Sequence, residues 1–248
     1  MDFKNKNVVI TGASTGIGFA TAKAFIEKEA NVLITSRSTD NLQKASDKIN
    51  SANLKTVVSD TANFEGIAQL EKAVAESGNK IDVLFLNAGI AVFAPIEQVT
   101  EADFDDQFNT NVKGLFFTLQ KLVPHLNDGA SVIFTSSTVA TAANLGGSVY
   151  SATKGALNKI AQIAANELVG RKIRVNIVSP GPIKTEGLDK AVATSEGKDY
   201  LASATGLQRL GNPDEVAKTV LFLASDDASF ITGTELIVDG GYTTYARK

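Results

Sequence analysis

The amino-acid sequence predicts an α/β protein, a single doubly wound domain in which helices cover both faces of a seven-stranded parallel sheet. The first observation is a series of short, continuously apolar runs, such as Val8–Ile10 and Ile81–Leu86. The second is that segments with the helical period of apolar residues separate these runs. Strands that are apolar throughout and alternate with helices are typical of parallel sheets buried on both faces.

In the first half of the chain, each apolar run leads to a helical pattern. Val8–Ile10 precedes a helix over Ile17–Ala30, which places two alanines and Phe25 on one face. The runs at residues 32–35 and 56–58 each precede an amphipathic segment, and Ile81–Leu86 is the fourth strand. This half therefore predicts four strands, with a helix after each of the first three.

The second half continues the alternation with longer helices. A long helix is expected over Phe104–Leu126, and a second follows the strand at residues 132–134 and covers Tyr150–Val169. After the strand Ile173–Val178, residues 212–215 supply a cap, an N1 proline and an N3 glutamate for a helix that ends at Ala224. The run at residues 236–238 is the seventh strand.

One domain over residues 1–248 is expected, because no linker or shift of composition divides the chain. The segment at about 185–211 is rich in alanine, serine and glycine and has no clear strand. A long segment of this kind in a compact domain is usually a lid or a binding loop. We therefore expect it to be the substrate loop.

Composition and charge exclude several classes of function. The 24 basic and 27 acidic residues give a net charge of −3, so no basic surface for nucleic acid is expected. The absence of cysteine and the presence of one histidine, His125, exclude thiol chemistry and multi-histidine metal sites, and no metal is expected. No leader follows Met1 and no uncharged apolar stretch could span a membrane, so a cytoplasmic protein without a membrane partner is expected.

The first strand-to-helix turn contains three glycines in the spacing G-x-x-x-G-x-G over residues 12–18. Glycines at this place allow backbone N–H groups to approach a phosphate at the positive end of the helix. The spacing differs from the G-x-G-x-x-G fingerprint. The alternative interpretation is that the glycines serve only the close packing of strand and helix.

Tyr150 and Lys154 are four residues apart and share one face of a predicted helix. A phenol has a pKa near ~10, and a lysine cation ~4 Å away lowers that pKa by roughly three units. The pair could therefore form a general acid that works near neutral pH. An ordinary amphipathic helix with a buried tyrosine and a surface lysine is the alternative for the pair alone.

Polar residues at three other places support the first interpretation. Ser137 follows the strand at residues 132–135, at the sheet edge where ligands bind in such folds, and its hydroxyl could hold a carbonyl oxygen. Asn87 ends the preceding strand. Asn111 lies inside the long helix, where it is a poor helix former, so we expect it to make a hydrogen bond or to bind a water.

These motifs, in this order and spacing, resemble the short-chain dehydrogenase/reductase family, and most of all its bacterial carbonyl reductases and 3-oxoacyl-carrier-protein reductases. The resemblance covers essentially the whole chain. Each motif alone is weak, whereas the ordered set is specific. The matching residues are Thr11, Gly12, Gly16, Gly18, Asn87, Ala88, Gly89, Asn111, Ser137, Tyr150, Lys154, Pro180 and Gly181.

The resemblance implies a Rossmann-type fold, a nicotinamide cofactor, and hydride transfer between that cofactor and a carbonyl or an alcohol. It implies four catalytic residues. Tyr150 would be the acid–base residue and Ser137 would polarise the substrate oxygen. Lys154 would lower the pKa of the tyrosine and bind the nicotinamide ribose, and Asn111 would hold a water that relays protons from Lys154 to solvent.

The resemblance also implies the residues that contact the cofactor. The glycine turn would bind the pyrophosphate, Asp60 and Thr61 would flank the adenine, and Asn87–Gly89 would pack along the ribose. Residues after the sixth strand would meet the carboxamide. The implied set is Gly12, Ser14, Thr15, Gly16, Ile17, Gly18, Ser36, Arg37, Asp60, Thr61, Asn87, Ala88, Gly89, Tyr150, Lys154, Pro180, Gly181, Ile183 and Thr185.

The end of the second strand favours NADP(H) over NAD(H). An acid that reads a ribose 2′-hydroxyl is expected there, but the sequence has Ser36, followed by Arg37. A guanidinium and neighbouring hydroxyls suit a 2′-phosphate. NAD(H) stays open, because Arg37 could instead stack on adenine, and because Thr15 stands where many NADP-preferring relatives have a second basic residue.

Apolar side chains are expected around the substrate, so an apolar or aromatic ketone fits better than a sugar. The residues predicted to contact it are Ser137, Tyr150, Val139, Leu145 and Leu188. The resemblance further suggests a homotetramer that packs through the two long helices and through the last strand with its neighbouring helix.

Two alternative functions are kept. A 3-oxoacyl-carrier-protein reductase would need a basic surface for an acidic carrier, which Arg171, Lys172 and Arg174 could supply in part. However, residues 127–129 lack the basic residues that such reductases usually carry. A non-catalytic nucleotide-sensing protein on the same fold is the second alternative.

Overall fold

The structure is a computed structural model that describes residues 1–244. Its seven strands form one parallel sheet in the order β3-β2-β1-β4-β5-β6-β7. This topology confirms the predicted doubly wound fold, including the number of strands. The strands are β1 Asn7–Ile10, β2 Asn31–Ser36, β3 Leu54–Val58, β4 Ile81–Leu86, β5 Leu126–Thr135, β6 Arg174–Pro180 and β7 Glu235–Val238.

Helices lie on both faces of the sheet, as crossovers between parallel strands require. They are α1 Gly16–Ile26, α2 Thr39–Ile49, α3 Phe64–Glu76, α4 Glu101–Phe108, α5 Leu115–Leu122, α6 Ser148–Glu167, α7 Glu186–Ala191, α8 Ser195–Ala204 and α9 Pro213–Ala224. Within residues 1–244, none of them is both long and apolar enough to cross a bilayer.

The two faces of the sheet carry separate hydrophobic cores, because alternate side chains of a strand point in opposite directions. In β4, Val83 and Phe85 join the core under α1 and α9. Leu84 and Leu86 join the core under α3, α5 and α6. Each fully buried side chain of this size stabilises the fold by about 1.5–3 kcal/mol. The strands are therefore apolar throughout because both of their faces are buried.

The long helix predicted over Phe104–Leu126 is interrupted. α4 ends at Phe108, a π-helical turn covers Asn109–Gly114, and α5 then continues to Leu122. Leu126, predicted as the last helical residue, already pairs with Ile81 as the first residue of β5. Pro124 explains the earlier end, since a proline inside a helix donates no hydrogen bond and clashes with the preceding turn.

Smaller differences occur at other element ends. α1 ends at Ile26 instead of Ala30, and Glu29 adopts a left-handed backbone with φ of 59° that cannot continue a helix. The segment at 185–211, expected as a loop, contains α7 and α8. Thr185 and Thr194 cap these two helices by accepting hydrogen bonds from Leu188 and Gly197.

Candidate active site

The predicted site residues gather at the carboxyl ends of the strands, where ligands bind in doubly wound sheets. The glycine turn follows β1, Ser36 ends β2, Asn87 follows β4 and Ser137 follows β5. Gly181 follows β6. The topology therefore brings to one edge residues that are far apart in the sequence.

Close packing accounts for two of the glycines in the first turn. A side chain at Gly12, whose φ is 62°, would place its Cβ 2.8 Å from the Cα of Ala88. A Cβ on Gly18 would lie 2.6 Å from the amide nitrogen of Asn87. Close packing therefore requires glycine at both positions. Gly16 has a φ of 55°, and a Cβ there would lie 3.3 Å from the Thr185 side chain. The left-handed backbone is therefore the stronger reason for glycine at this position.

The amino end of α1 is suited to bind a phosphate. Its N-cap residue, Thr15, makes no side-chain cap, whereas Ser38 and Asn63 cap α2 and α3. The first N–H groups of a helix have no partner within the helix, so those of α1 are left for an anionic ligand. This end of the helix therefore fits a pyrophosphate at residues 14–17.

Asn87 joins three strands at this edge. Its Nδ2 donates to the carbonyl oxygens of Thr11 and Gly12 at 3.2 and 2.9 Å, and its Oδ1 accepts from Thr135 at 3.1 Å. The Thr11 hydroxyl in turn accepts from the N–H groups of Asn87 and Ala88. Sequence reasoning missed Thr135, whose contribution depends on the pairing of β4 with β5.

Tyr150, Ser137 and Lys154 lie together. Ser137 and the half-buried Tyr150 are joined by a hydrogen bond between their side chains. Lys154 is buried, and its Nζ lies 5.7 Å from the centre of the Tyr150 ring. That Nζ donates to the carbonyl oxygen of Thr135 at 2.9 Å. Two hydroxyl groups are thus presented side by side, with an ammonium group behind them.

The pKa values in this cluster differ from the expectation. Burial raises the pKa of Tyr150 to about 12, and the hydrogen bond with Ser137 opposes the rise. Burial lowers the pKa of Lys154 to about 8. The predicted lowering of the tyrosine pKa by Lys154 is wrong for this geometry, because the ammonium group points at the Thr135 carbonyl rather than at the phenol oxygen. The phenol is protonated at neutral pH.

Lys154 should make the stability of the protein rise with pH. The folded-state pKa of about 8 lies below the unfolded value near ~10.4, so the unfolded chain binds more protons between these pH values. Stability should therefore rise by about 2 kcal/mol between pH 8 and pH 10 through this one group. Urea unfolding across this range should show a weaker rise in Lys154→Met. Lys159→Met, at an exposed lysine of the same helix, is the control and should show the same rise in stability as the wild type. An equal rise in Lys154→Met and the wild type would contradict the prediction.

Asn111 lies in the π-helical turn and is fully buried. Its Oδ1 accepts from the N–H of Ile90 at 2.8 Å, and its Nδ2 donates to the carbonyl of Ile90 at 2.8 Å and to Thr153 at 3.1 Å. The amide hydrogens are both used, so one lone pair of Oδ1 remains for a further partner. Thr153, which sequence reasoning missed, also donates to the carbonyl oxygen of Tyr150.

Ser36 and Arg37 lie beside the glycine turn. Ser14 donates to the hydroxyl of Ser36 at 3.1 Å, which ties the end of β2 to the turn after β1. Arg37 is exposed, and its guanidinium has no hydrogen-bond or ion-pair partner among residues 1–244. This arrangement leaves a cation and two hydroxyls together at the end of β2.

Two glycines enclose the loop that holds Asp60 and Thr61. A Cβ on Gly66 would lie 2.3 Å from the Asp60 carbonyl oxygen, and one on Gly114 would lie 2.2 Å from that of Thr61. α3 and the π-helical turn therefore both pack closely against the backbone of this loop. No side chain longer than hydrogen fits at either position.

The remaining predicted residues follow β6 or flank Tyr150. Gly181 packs against Asp239, Ile183 is buried, and Thr185 contacts Gly16. Among the predicted substrate residues, Val139 is buried and Leu188 is half-buried, whereas Leu145 is fully exposed. The structure does not bring Leu145 into the cluster around Tyr150. Phe93 is there instead, with its ring edge-to-face against Tyr150 at 5.6 Å.

The fold and this cluster define a dinucleotide-dependent oxidoreductase, and the comparisons with known proteins agree. The family model described as enoyl-(acyl carrier protein) reductase matches residues 12–243. An uncharacterised oxidoreductase of Methylorubrum extorquens is 42% identical, over 96% of this chain and 98% of its own. A 3-oxoacyl-carrier-protein reductase of Thermotoga maritima is 35% identical, over 97% and 99%.

Solved structures are similar as well. A short-chain dehydrogenase/reductase from Serratia marcescens superposes with a TM-score of 0.89 at 31% identity, covering 98% of this chain and all of the other. The chain belongs to the short-chain dehydrogenase/reductase family. It is therefore an oxidoreductase that acts on hydroxyl or carbonyl groups with a nicotinamide cofactor.

Proposed function

We propose that this chain is an NADPH-dependent carbonyl reductase, which also works in reverse as an alcohol dehydrogenase. The observation that carries the proposal is the hydrogen-bonded pair of Ser137 and Tyr150 at the carboxyl edge of the sheet, with Lys154 buried behind it. In the proposal, both hydroxyls bind one carbonyl oxygen of the substrate. The nicotinamide, when bound, supplies the hydride.

The protonated form of Tyr150 is the form that a reduction requires. In a reduction, the phenol gives its proton to the oxygen that becomes an alcohol, and Ser137 holds that oxygen. A pKa of about 12 keeps the phenol protonated at neutral pH, although it also makes the phenol a weaker acid than one in water. Oxidation needs the ionised phenol, which is scarce under the same conditions.

Lys154 and Asn111 support this pair in the proposal. Lys154 would bind the nicotinamide ribose, and the remaining lone pair of Asn111 Oδ1 is suited to a water of the proton relay. Gly89 leaves space between them, since a Cβ there would lie 3.3 Å from Asn111 Oδ1 and 3.5 Å from Lys154 Nζ. Residues 12–18, 60–61, 87–89 and 180–185 would bind the rest of the cofactor.

The preference for NADPH is tested at Arg37. Arg37→Ala should weaken NADPH binding about tenfold or more, because a charge-assisted bond to the 2′-phosphate contributes about 1.5–3 kcal/mol. NADH binding should change less than threefold. Dissociation constants for both cofactors from fluorescence titration give the result, and Lys44→Ala in the exposed part of α2 is the control. Equal losses for NADPH and NADH would mean that Arg37 reads no phosphate.

A 3-oxoacyl-carrier-protein reductase is the second candidate, since the Thermotoga relative carries that name. Two of the three basic residues considered for carrier docking do not favour it. Arg174 is the first residue of β6, so it lies about 20 Å from the carboxyl edge of that strand. Arg171 is bound to Asp128 and to the carbonyls of Val123 and Leu126.

Initial rates of cofactor oxidation separate the candidates. We expect acetophenone to be reduced with NADPH faster than with NADH. A rate confined to an acetoacetyl thioester would instead assign the chain to acyl reduction. Cofactor binding without turnover of any carbonyl would favour the nucleotide-sensing alternative.

We also propose that the chain forms a single domain over residues 1–248. Four such chains would assemble as a homotetramer in the cytoplasm. Exposed apolar side chains lie on the surfaces that would pack together, with Phe104 and Phe116 on α4 and α5, Ile163 on α6, and Phe230 and Ile237 near β7. Where such side chains form a contiguous apolar patch, the patch marks an interface between subunits. Light scattering during size-exclusion chromatography measures the mass directly, and a monomer would contradict the proposal.

A further inference from the structure

The chain after β4 has no regular structure over residues 87–95, yet it carries an aromatic ring to the candidate active site. Phe93 lies on this segment, and its ring is edge-to-face with Tyr150 at a centroid distance of 5.6 Å and an interplanar angle of 67°. Phe93 is also 42% exposed, so its other side is open to a ligand. The position of this ring therefore depends on what holds the loop.

Two amide side chains on neighbouring helical turns hold the loop from one side. Asn111 bonds both backbone groups of Ile90, and Gln107 accepts the N–H of Val92 at 3.1 Å with its Oε1. On the other side, the N–H of Ala94 donates to the carbonyl of Gly146. Phe93 thus lies between two anchored residues.

Gln107 is oriented for this contact. Its side chain is buried, with 1% of its surface exposed, and its Nε2 donates to the carbonyl oxygen of Asp103 at 3.1 Å. That bond fixes which end of the amide faces the loop, because only the oxygen can accept from Val92. An apolar residue would serve the helix equally well, so the helix itself does not require a glutamine here.

We infer that Gln107 is a positioning residue for the reaction and sets the wall of the substrate site through Val92 and Phe93. The inference rests on the proposed function of the Tyr150 site. A phenyl ring of the substrate would pack on the exposed side of Phe93, so the loop held by Gln107 favours aryl ketones over saturated ketones of equal size. Gln107 itself touches neither substrate nor Tyr150.

Gln107→Met tests the inference, because methionine keeps the length of the side chain and removes the acceptor. The KM for acetophenone should rise about tenfold, as expected for one lost hydrogen bond. Its kcat and the dissociation constant for NADPH should change less than threefold. The KM for cyclohexyl methyl ketone, the saturated match, should change less than that for acetophenone.

Two further variants separate positioning from a general structural effect. Gln107→Glu should restore most of the loss, since a buried neutral carboxyl group can accept from Val92 and donate to the Asp103 carbonyl as the amide does. Gln120→Met, at an exposed glutamine of α5, should match the wild type. Loss of NADPH binding in Gln107→Met, or an equal loss for both ketones, would overturn the inference.

A double-mutant cycle with Phe93→Leu shows whether the effect passes through the ring. In that background, Gln107→Met should change the KM for acetophenone less than twofold. The same tenfold rise in both backgrounds would mean that Gln107 acts by another route.

Failure of the proposed function can be distinguished from failure of the inference about Gln107. If the wild type reduces neither ketone, the assignment as a ketone reductase fails. Amide hydrogen exchange then decides the inference. Residues 90–94 should exchange faster in Gln107→Met than in the wild type or Gln120→Met, and unchanged exchange would overturn the role of Gln107.

Discussion

Tyr150→Phe is expected to lower turnover by about 10³-fold, within the range that a positioned general acid contributes. The variant loses only the hydroxyl that bonds Ser137 and would donate the proton. Its ring remains to pack against Phe93, so the shape of the site is kept. The dissociation constant for NADPH should therefore change less than threefold. Steady-state rates with acetophenone and a fluorescence titration measure both quantities.

Tyr242→Phe is the matched control for this variant, because Tyr242 lies in the turn that follows β7, outside the cluster around Tyr150. It should keep the activity of the wild type. If Tyr150→Phe retained a tenth of the activity or more, another group would have to supply the proton, and the proposed mechanism would be wrong.

Gly18→Ala is expected to be destabilising and to abolish tight binding of the cofactor. The added Cβ would lie 2.6 Å from both the carbonyl oxygen of Gly12 and the side-chain nitrogen of Asn87. That nitrogen is held by two hydrogen bonds and cannot move aside cheaply. Overpacking of this kind typically costs about 1–3 kcal/mol, and the shift of α1 would displace its phosphate-binding end.

Gly155→Ala is the matched control, since Gly155 also lies within a helix and a Cβ there meets nothing within 4 Å. This change should stabilise the protein by about 0.5–1 kcal/mol, because alanine restricts the unfolded chain more than glycine does. Urea unfolding and NADPH titration of both variants provide the comparison. Similar stability for the two alanine variants would contradict the role of close packing at Gly18.

The sheet could be predicted because its signal is local. Runs such as Ile81–Leu86 are apolar on both faces, and their order along the chain limits the topology to few choices. The π-helical turn could not be predicted. It is stabilised by the bonds of Asn111 to Ile90 and Thr153, which lie 21 and 42 residues away in the sequence. The sequence indicated only that Asn111 is a poor helix former at a position inside a predicted helix.

The structure brings together the catalytic residues that the sequence predicts, but their electrostatics differ from the expectation. The positions of Ser137, Tyr150 and Lys154 follow from motif spacing, and the structure brings the three together. Their pKa values depend on how deeply the fold buries each group and on where the lysine points, which no spacing reveals. Gln107 was missed for a related reason, since its contact with Val92 depends on the path of an irregular loop.

The enclosed loop at Asp60 and Thr61 limits how the cofactor preference can be engineered. Gly114, which presses on Thr61, lies three residues from Asn111 in the same π-helical turn. A larger side chain at Gly114 would displace the π-helical turn and with it the Asn111 amide that holds Ile90, so a change beside Asp60 and Thr61 is expected to reach the proposed proton relay. Ser36 bonds Ser14 and the N–H of Ser59, and none of residues 36–38 is among the nearest neighbours of either glycine. A library intended to exchange NADPH for NADH should therefore vary residues 36–38 and leave the two glycines unchanged.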